Sequence, residues 1–199
     1  MHRNFPDGDE GPSDRPIGIP ILFPDPMAST ARAACAVLDQ GTEFLDPLPP
    51  ALYRQPTRAI FNASLGAHYR HCLEHFSSLL GGLDRGLINY DDRPRQARLE
   101  TDPLFAVDQT RRLRTRLELL SPSDEQRMVQ VRGLVTPTGP TVDHLSTVGR
   151  ELSYAVAHTI HHYALMAVLA ATLGATVPAG FGVAPSTAAY WREQEESKA

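Results

Sequence analysis

The side chains best suited to chemistry in this chain are histidines in two short segments. His158 and His162 are four residues apart in the run His158-Thr-Ile-His161-His162. On a helix this spacing places the two side chains one turn and about 40° apart. Two such imidazoles can reach one cation, and neutral imidazole suits zinc, nickel, iron or copper. Because one helix supplies only two ligands, a third must come from another segment.

The second segment offers three candidates for the third ligand, namely His68, His71 and His75. Their spacing places them on one side of a helix, so any of them can meet the fourth helix across a bundle. His68 lies nearer the centre of the apolar seam than His71, and periodicity alone therefore favours His68. The apolar seam consists of Leu65, Tyr69, Cys72, Phe76, Leu79 and Leu83.

The spacing of His158 and His162 is weak evidence by itself. Eight histidines in 199 residues produce a pair four apart by chance in about a third of random chains. The pair gains weight because the rest of its helix is apolar, with Ala155, Val156 and Ile160 around it, and buried histidines need a hydrogen-bond partner or a metal. Hydrogen-bonded core histidines are the alternative interpretation.

Four long amphipathic segments position these histidines. The predicted helices are 27–45, 62–80 from Asn62 or Ser64, 102–120 with Pro103 in its first turn, and 141–173 with a start between 141 and 146. Residues 84–103 form a long polar connection that can cross from one end of a bundle to the other. The alternation over 128–135 is a weak strand signal. The predicted fold class is all-α, a four-helix bundle with a long crossover connection.

The domain boundaries follow from composition. Residues 1–26 are rich in Pro, Gly and Asp and are predicted to be an extended N-terminal arm. Residues 27–175 form the bundle, and 176–199 form a C-terminal tail.

Composition excludes several function classes. The net charge of -4 gives no reason to expect nucleic acid or an anionic membrane as partner, and no apolar run reaches the ~20 residues that a membrane helix needs. The first residues lack the apolar core of a signal peptide, and two cysteines imply no disulfide scaffold. A cytoplasmic location is the default expectation.

Two segments resemble a known family. Ser64-Leu-Gly-Ala-His-Tyr-Arg-His71-Cys-Leu-Glu-His resembles the second-helix motif of DinB-like proteins, and Glu151-Leu-Ser-Tyr-Ala-Val-Ala-His158-Thr-Ile-His-His162-Tyr resembles their fourth-helix motif. That superfamily also includes YfiT-like metal hydrolases and thiol-dependent transferases. The resemblance covers most of residues 28–175. Tyr163-Ala164 stands where the family often has Arg-Gly after the last histidine.

The resemblance implies a DinB-like four-helix bundle with a metal held by His71, His158 and His162. It assigns the first ligand to His71 and leaves His68 as a second-shell or alternate ligand. The implied cofactor is a divalent ion (Zn, Ni, Fe or Mn). The implied partner is a small-molecule substrate or a thiol, and the reaction is transfer of that thiol to an electrophile or hydrolysis. A non-catalytic bundle stapled by its metal is the alternative. A homodimer is compatible with either, but no residue locates an interface.

Three further features need an interpretation. Glu151 stands seven residues before His158, about two turns away on the same face. It orients a ligand, acts as a base or forms an ordinary surface ion pair, and the ion pair is the favoured interpretation. Cys72 points along the apolar seam and is interpreted as a structural thiol. The loop with Asp91, Asp92, Arg93 and Arg95 either borders a pocket or is simply solvated.

Overall fold

A computed structural model describes residues 30–58 and 62–197. The predicted arm at 1–26 and the first residues of the first predicted helix lie outside these ranges. Eight helices and three strands are present in the described ranges. In chain order they are α1 Thr30–Leu45, α2 Pro50–Arg54, α3 Leu65–Gly82, β1 Leu87–Asn89, α4 Ala97–Thr101, α5 Pro103–Glu118, α6 Pro122–Glu125, β2 Met128–Leu134, β3 Thr141–Thr147, α7 Val148–Thr172 and α8 Pro185–Glu196.

The four long helices begin at residues that cap them or lie close to the predicted starts. Ser64 accepts a hydrogen bond from the Ala67 amide at 3.0 Å at the start of α3, and Asp102 accepts from the Phe105 amide at 3.1 Å at the start of α5. Such side chains satisfy amides that the first helical turn leaves unpaired. Helix α1 packs on α5 and α7, and α3 packs on the same two helices. Within the described residues the prediction of helices over the first three segments is confirmed, and that of the fourth is confirmed only from Val148 onward.

The all-α prediction is wrong, because a three-stranded sheet packs beside the helices. Its order is β1-β2-β3, with β1 parallel to β2 and β2 antiparallel to β3. Segment 128–135, with its weak alternation, does form a strand. Segment 141–147, expected to open the fourth helix, is the partner strand instead, and α7 begins only at Val148 after a Thr147 cap. The description as a pure four-helix bundle is therefore corrected to a mixed structure.

The residues of β3 explain why segment 141–147 forms a strand and not the start of the fourth helix. Its sequence Thr-Val-Asp-His-Leu-Ser-Thr contains helix-capping residues, which suggested a helix start, but its β-branched Thr and Val also favour strands. Pairing along the full length of β2, from Met128 with Thr147 to Leu134 with Thr141, decides between the two. Such pairing is a tertiary contact that local propensity does not contain.

The sheet docks on α3 through one fully buried strand residue and one glycine. Ile88 of β1 is 0% exposed. A Cβ atom at Gly82 would lie 2.5 Å from the Leu87 carbonyl oxygen, so only glycine allows this approach of strand and helix. At the other end of the molecule Phe181, in the segment predicted as a tail, stacks on Phe44 and Tyr163. No described helix is both long and apolar enough to cross a membrane.

Candidate metal centre

Helices α3 and α7 bring five histidines into one cluster. His68 meets His162 and His71 meets His158, so positions that ascend along α3 meet positions that descend along α7. The two helices therefore run antiparallel at this point. The histidine cluster is defined here as His68, His71, His75, His158 and His162.

The structure brings the predicted ligands His71 and His158 into direct contact. Their Nε2 atoms are 2.8 Å apart. The ring of His162 packs 4.5 Å from the ring of His71 and 4.7 Å from that of His158, measured between centroids. However, Nδ1 of His162 lies 3.0 Å from Nδ1 of His68, which is buried. The residue expected as a second-shell or alternate ligand thus contacts one of the expected ligands.

His75 joins the pair formed by His71 and His158. In the described part of the chain these three histidines form a group in which one ring nitrogen of each lies within 4.8 Å of one ring nitrogen of the other two. His75 is almost fully buried, at 4% exposure, and its ring lies 4.3 Å from that of His158. Two ligands of this group match the predicted set, and the third position is contested between His75 and His162.

A guanidinium group lies against the cluster. Arg93 donates from Nη1 to Nδ1 of His71 at 2.8 Å and to Nε2 of His75 at 2.7 Å. The loop after β1 carries it, and that loop is fixed by Asn89, whose side-chain oxygen accepts from the amides of Asp91 and Asp92. The interpretation of this loop as a pocket border therefore applies to Arg93.

Burial and nearby positive charge keep the cluster neutral. Burial, followed by the charge of Arg93, lowers the pKa of His71 to about 4. Burial is also the main reason why the pKa of His162 falls to about 3 and that of His75 to about 2. The pKa of His158 is lowered, first by burial. At neutral pH these rings are uncharged, which is the form that binds metals.

The cluster borders a cavity of about 350 Å³. His71, His75 and His158 form its helical wall. Its other wall comes from the sheet and the loop after β1, with Val131, Leu134 and Val135 as apolar members and Tyr90 and Tyr154 at the side. A neighbouring cavity of about 720 Å³ shares Tyr90, Val131, Val135, His144 and Tyr154 with it. The histidines are thus reachable by a small molecule.

Glu151, the residue suggested as a base, does not touch the histidines. It is 5% exposed and accepts hydrogen bonds from the Tyr90 hydroxyl at 2.9 Å and the Ser146 hydroxyl at 2.6 Å. The ring of Tyr90 stacks on His75, with centroids 5.1 Å apart. Glu151 is therefore a buried anchor for an aromatic side chain that lines the cavity. It also has an ion-pair partner in Arg150 at 3.8 Å, and the structure shows no contact between it and the cluster.

Cys72 does not take part in this chemistry. Cys72 is fully buried, and burial raises its pKa to about 12. A thiol with so high a pKa is a poor nucleophile at neutral pH. The interpretation of Cys72 as a structural residue agrees with this burial.

The donor set fits a divalent transition metal. Nitrogens that share one zinc ion, each about 2.0–2.1 Å from it, are about 3.3 Å apart. The 2.8 Å contact of His71 with His158 needs to open by only about half an ångström for this. In addition, Nε2 of His68 and Nδ1 of His75 are buried without a hydrogen-bond partner among the described residues. A set of neutral imidazoles favours zinc, nickel, copper or iron over magnesium or calcium.

The predicted ligand set left out His75, one of the three candidates on its helix, and no role at the site was predicted for Tyr90 and Tyr154. His75 was visible as the third histidine on its helix face, and Arg93 as part of a charged loop. Arg93 follows β1, a strand of three residues whose partner strand lies about 40 residues further along the chain. Its position after this strand is the feature that places it at the site.

Comparison with known proteins assigns no family. A stretch of 109 residues, 54% of this chain, is 32% identical to a protein named FK506-binding protein 5 from Rhizopus delemar. That stretch spans 28% of the relative's length. No family model matches the chain, and no solved structure matches it. None of these comparisons bears on the DinB-like resemblance, so the metal-dependent function stays a prediction.

Proposed function

We propose that this protein binds one divalent transition-metal ion at the histidine cluster and uses it to transform a small molecule. His71 and His158 hold the ion, with His75 or His162 as the third ligand. The reaction class is transfer of a thiol to an electrophile or hydrolysis of a small molecule. The observation that carries the proposal is the 2.8 Å approach of two neutral imidazoles at the wall of a 350 Å³ cavity.

The cavity supports an enzyme because it gives a substrate access to the ligands. Three protein ligands leave a coordination position open, as catalytic sites do. A bound ion supplies Lewis-acid activation of a thiol, a water molecule or a carbonyl group. The apolar side chains Val131 and Val135 and the rings of Tyr90 and Tyr154 provide the surface that binds the rest of the substrate.

The surrounding residues hold this arrangement in place. The hydrogen bond between His68 and His162 fixes both rings. Glu151 fixes Tyr90 through its hydroxyl and thereby the ring that stacks on His75. Such partners around a metal ligand set its orientation and its affinity. In this proposal Glu151 is a positioning residue.

Metal analysis of the purified protein tests the proposal. We expect about one zinc, nickel, iron or manganese ion per chain in the wild type and none in His158→Ala. His161→Ala is the matched control, because His161 is exposed on the same helix and its ring lies 5.4 Å from that of His162. Absence of metal from the wild type after incubation with each ion would refute the metal site.

Turnover is then measured with the metal-loaded protein. The assays are thiol conjugation to electrophiles and hydrolysis of small esters and amides. We expect activity in the wild type and in His161→Ala, and its loss in His158→Ala. If the metal-loaded protein shows no turnover in either assay, the proposed metal site stands and the proposed enzymatic function is refuted.

A metal-stapled structural bundle is the second candidate. The observation that favours it is that the hydrogen-bond partners found for His71 are His158 and Arg93, so no described carboxylate or thiol is hydrogen-bonded to His71. Here the ion joins α3 to α7 and stabilises the native state by binding only that state. Cobalt-substituted protein separates the two: a small thiol that changes its visible spectrum indicates an open position, and an unchanged spectrum indicates a staple.

A further inference from the structure

Arg93 is a cation placed among neutral acceptors. Both of its Nη1 hydrogen bonds go to histidines, and its Nε is buried without a hydrogen-bond partner among the described residues. No carboxylate of the described chain forms an ion pair with it. By contrast Arg132, which lines the same cavity, is paired with Asp143 through two bonds of 2.8 Å. Arg93 thus brings to the cavity a positive charge that forms no direct ion pair with a described carboxylate.

The proton positions on the histidines follow from Arg93. A guanidinium group only donates hydrogen bonds, so Nδ1 of His71 and Nε2 of His75 must each present a lone pair to it. Neutral His71 then carries its proton on Nε2 and donates it to Nε2 of His158. Neutral His75 likewise carries its proton on Nδ1.

Metal coordination requires the opposite arrangement. If His71 binds the ion through Nε2, its proton moves to Nδ1, and Nδ1 can no longer accept from Arg93. If His75 binds through Nε2, the lone pair that Arg93 uses is consumed. Repulsion between the guanidinium and a divalent ion also disfavours the observed position of Arg93 when the metal is bound. Metal binding and the observed position of Arg93 therefore exclude each other.

We infer that the metal displaces Arg93 into the cavity, where its guanidinium binds a carboxylate group of the ligand. This inference rests on the proposed metal centre and names the chemical class of its substrate, a small molecule with a carboxylate on an apolar body. Before displacement Arg93 donates hydrogen bonds to His71 and His75, and after displacement its guanidinium binds the ligand. The order of binding follows, with the metal first and the carboxylate second.

The chemistry of the cavity favours a carboxylate. Once released, the guanidinium offers a planar pair of donors that matches a carboxylate bidentately. The acidic residue on the same wall, Asp91, already accepts from the Leu134 amide at 2.6 Å through Oδ2. Val131, Val135 and the tyrosine rings line the rest of the cavity and suit an apolar body.

Zinc titrations of the full chain test the first step, with Arg93→Gln as the variant and Arg132→Gln as the matched control. We expect Arg93→Gln to bind zinc at least ~10-fold more tightly than the wild type, because coordination no longer breaks the charge-assisted hydrogen bond from Arg93 to His71, or the one to His75 where His75 is a ligand. Arg132→Gln should stay within about twofold of the wild type, since its guanidinium is paired with Asp143. Equal or weaker zinc binding by Arg93→Gln overturns the inference.

Benzoate and its neutral isostere benzamide test the second step. We expect benzoate to bind zinc-loaded wild type ~10-fold more tightly than zinc-loaded Arg93→Gln, whereas benzamide shows no difference. Benzoate that coordinates zinc without help from Arg93 would bind both proteins equally, which also overturns the inference. If Arg93→Gln fails to fold, nitrogen-15 spectra of the wild-type histidines replace it: zinc should move the His71 proton from Nε2 to Nδ1, and an unchanged tautomer contradicts the displacement.

The two proposals fail in different ways. If neither the wild type nor Arg93→Gln takes up zinc or another of the four ions, the metal centre itself is wrong. If both take up zinc with the same affinity, the metal centre stands and the role of Arg93 is rejected.

Discussion

The two walls of the cavity differ in how their polar groups are held. The wall formed by α3 and α7 carries His71, His75 and His158, which burial keeps neutral, and His75 is only 4% exposed. The wall formed by β2, β3 and the loop after β1 carries Asp91, Arg93 and Arg132, and two of these three side chains are bound to other sheet or loop groups. In the proposed function the first wall binds the metal and the second recognises the substrate.

The difference shows where each wall gets its stability. The helical wall is part of the core, so its histidines keep their positions as long as the helices pack. The sheet wall is mostly exposed and depends on strand pairing plus a few anchors such as Ile88 and Glu151. Substitution of these anchor residues should therefore lower the stability of the sheet wall more than that of the helical wall.

The largest effect is expected for Ile88→Ala, which removes the fully buried contact of the sheet with α3. A buried isoleucine replaced by alanine costs about 2–5 kcal/mol in the free energy of unfolding. Leu145→Ala is the control, because Leu145 is 81% exposed on β3 and should change this quantity by less than about 0.5 kcal/mol. Urea denaturation measures both. Similar small effects would show that the sheet is not anchored through Ile88.

The next effect identifies the third metal ligand. The zinc affinities of His75→Ala and His162→Ala are compared. Substitution of the true ligand should lower zinc affinity by more than ~100-fold. Substitution of the other histidine, which only orients its neighbours, should lower it by about 10–100-fold. The nitrogen positions favour His75, and the family resemblance favours His162. Equal losses in both variants would indicate four histidine ligands.

A smaller effect is expected for Glu151→Gln. The amide keeps one acceptor oxygen but loses one of the bonds from Tyr90 and Ser146, which costs about 1–3 kcal/mol because the site is buried. Zinc affinity should fall much less than in the histidine variants, since Glu151 touches no histidine and acts on His75 only through the ring of Tyr90. Thermal denaturation and metal analysis are measured together. Loss of zinc in Glu151→Gln would contradict its role as an anchor for Tyr90.

The smallest effect is the pH dependence of the metal-free protein. The folded pKa values of His71, His75 and His162 lie below the ordinary value of 6.5, so the unfolded chain binds more protons below that pH. Stability contributed by these neutral rings is complete above pH 6.5. It declines as the pH falls from there towards the folded pKa of each ring, about 4 for His71, about 3 for His162 and about 2 for His75. The melting temperature should drop by about a few degrees between pH 6.5 and 5.5.

A matched pair of variants assigns this pH dependence. His75→Asn removes one of the responsible rings and should flatten the decline, whereas His144→Asn alters an exposed histidine of β3 and should not. Identical slopes in the wild type and His75→Asn would show that other groups cause the decline.

Sequence patterns located the helices and most of the histidine cluster. Ser64 and Asp102 cap helices where their residue types predict, and the steps of three and four residues put His68, His71 and His75 on one face. Periodicity did not decide which histidines meet. It favoured His68, whereas the structure pairs His68 with His162 and His71 with His158.

The sequence by itself determined the local elements, because helix capping and apolar spacing act within a few turns of the chain. Only the tertiary structure decided that 141–147 pairs with β2, that β1 places Arg93 against His71, and that His75 joins the pair of His71 and His158. These three features depend on contacts between segments that are far apart in sequence. Their energy comes from pairing and burial, and neither is encoded in the pattern of a single segment.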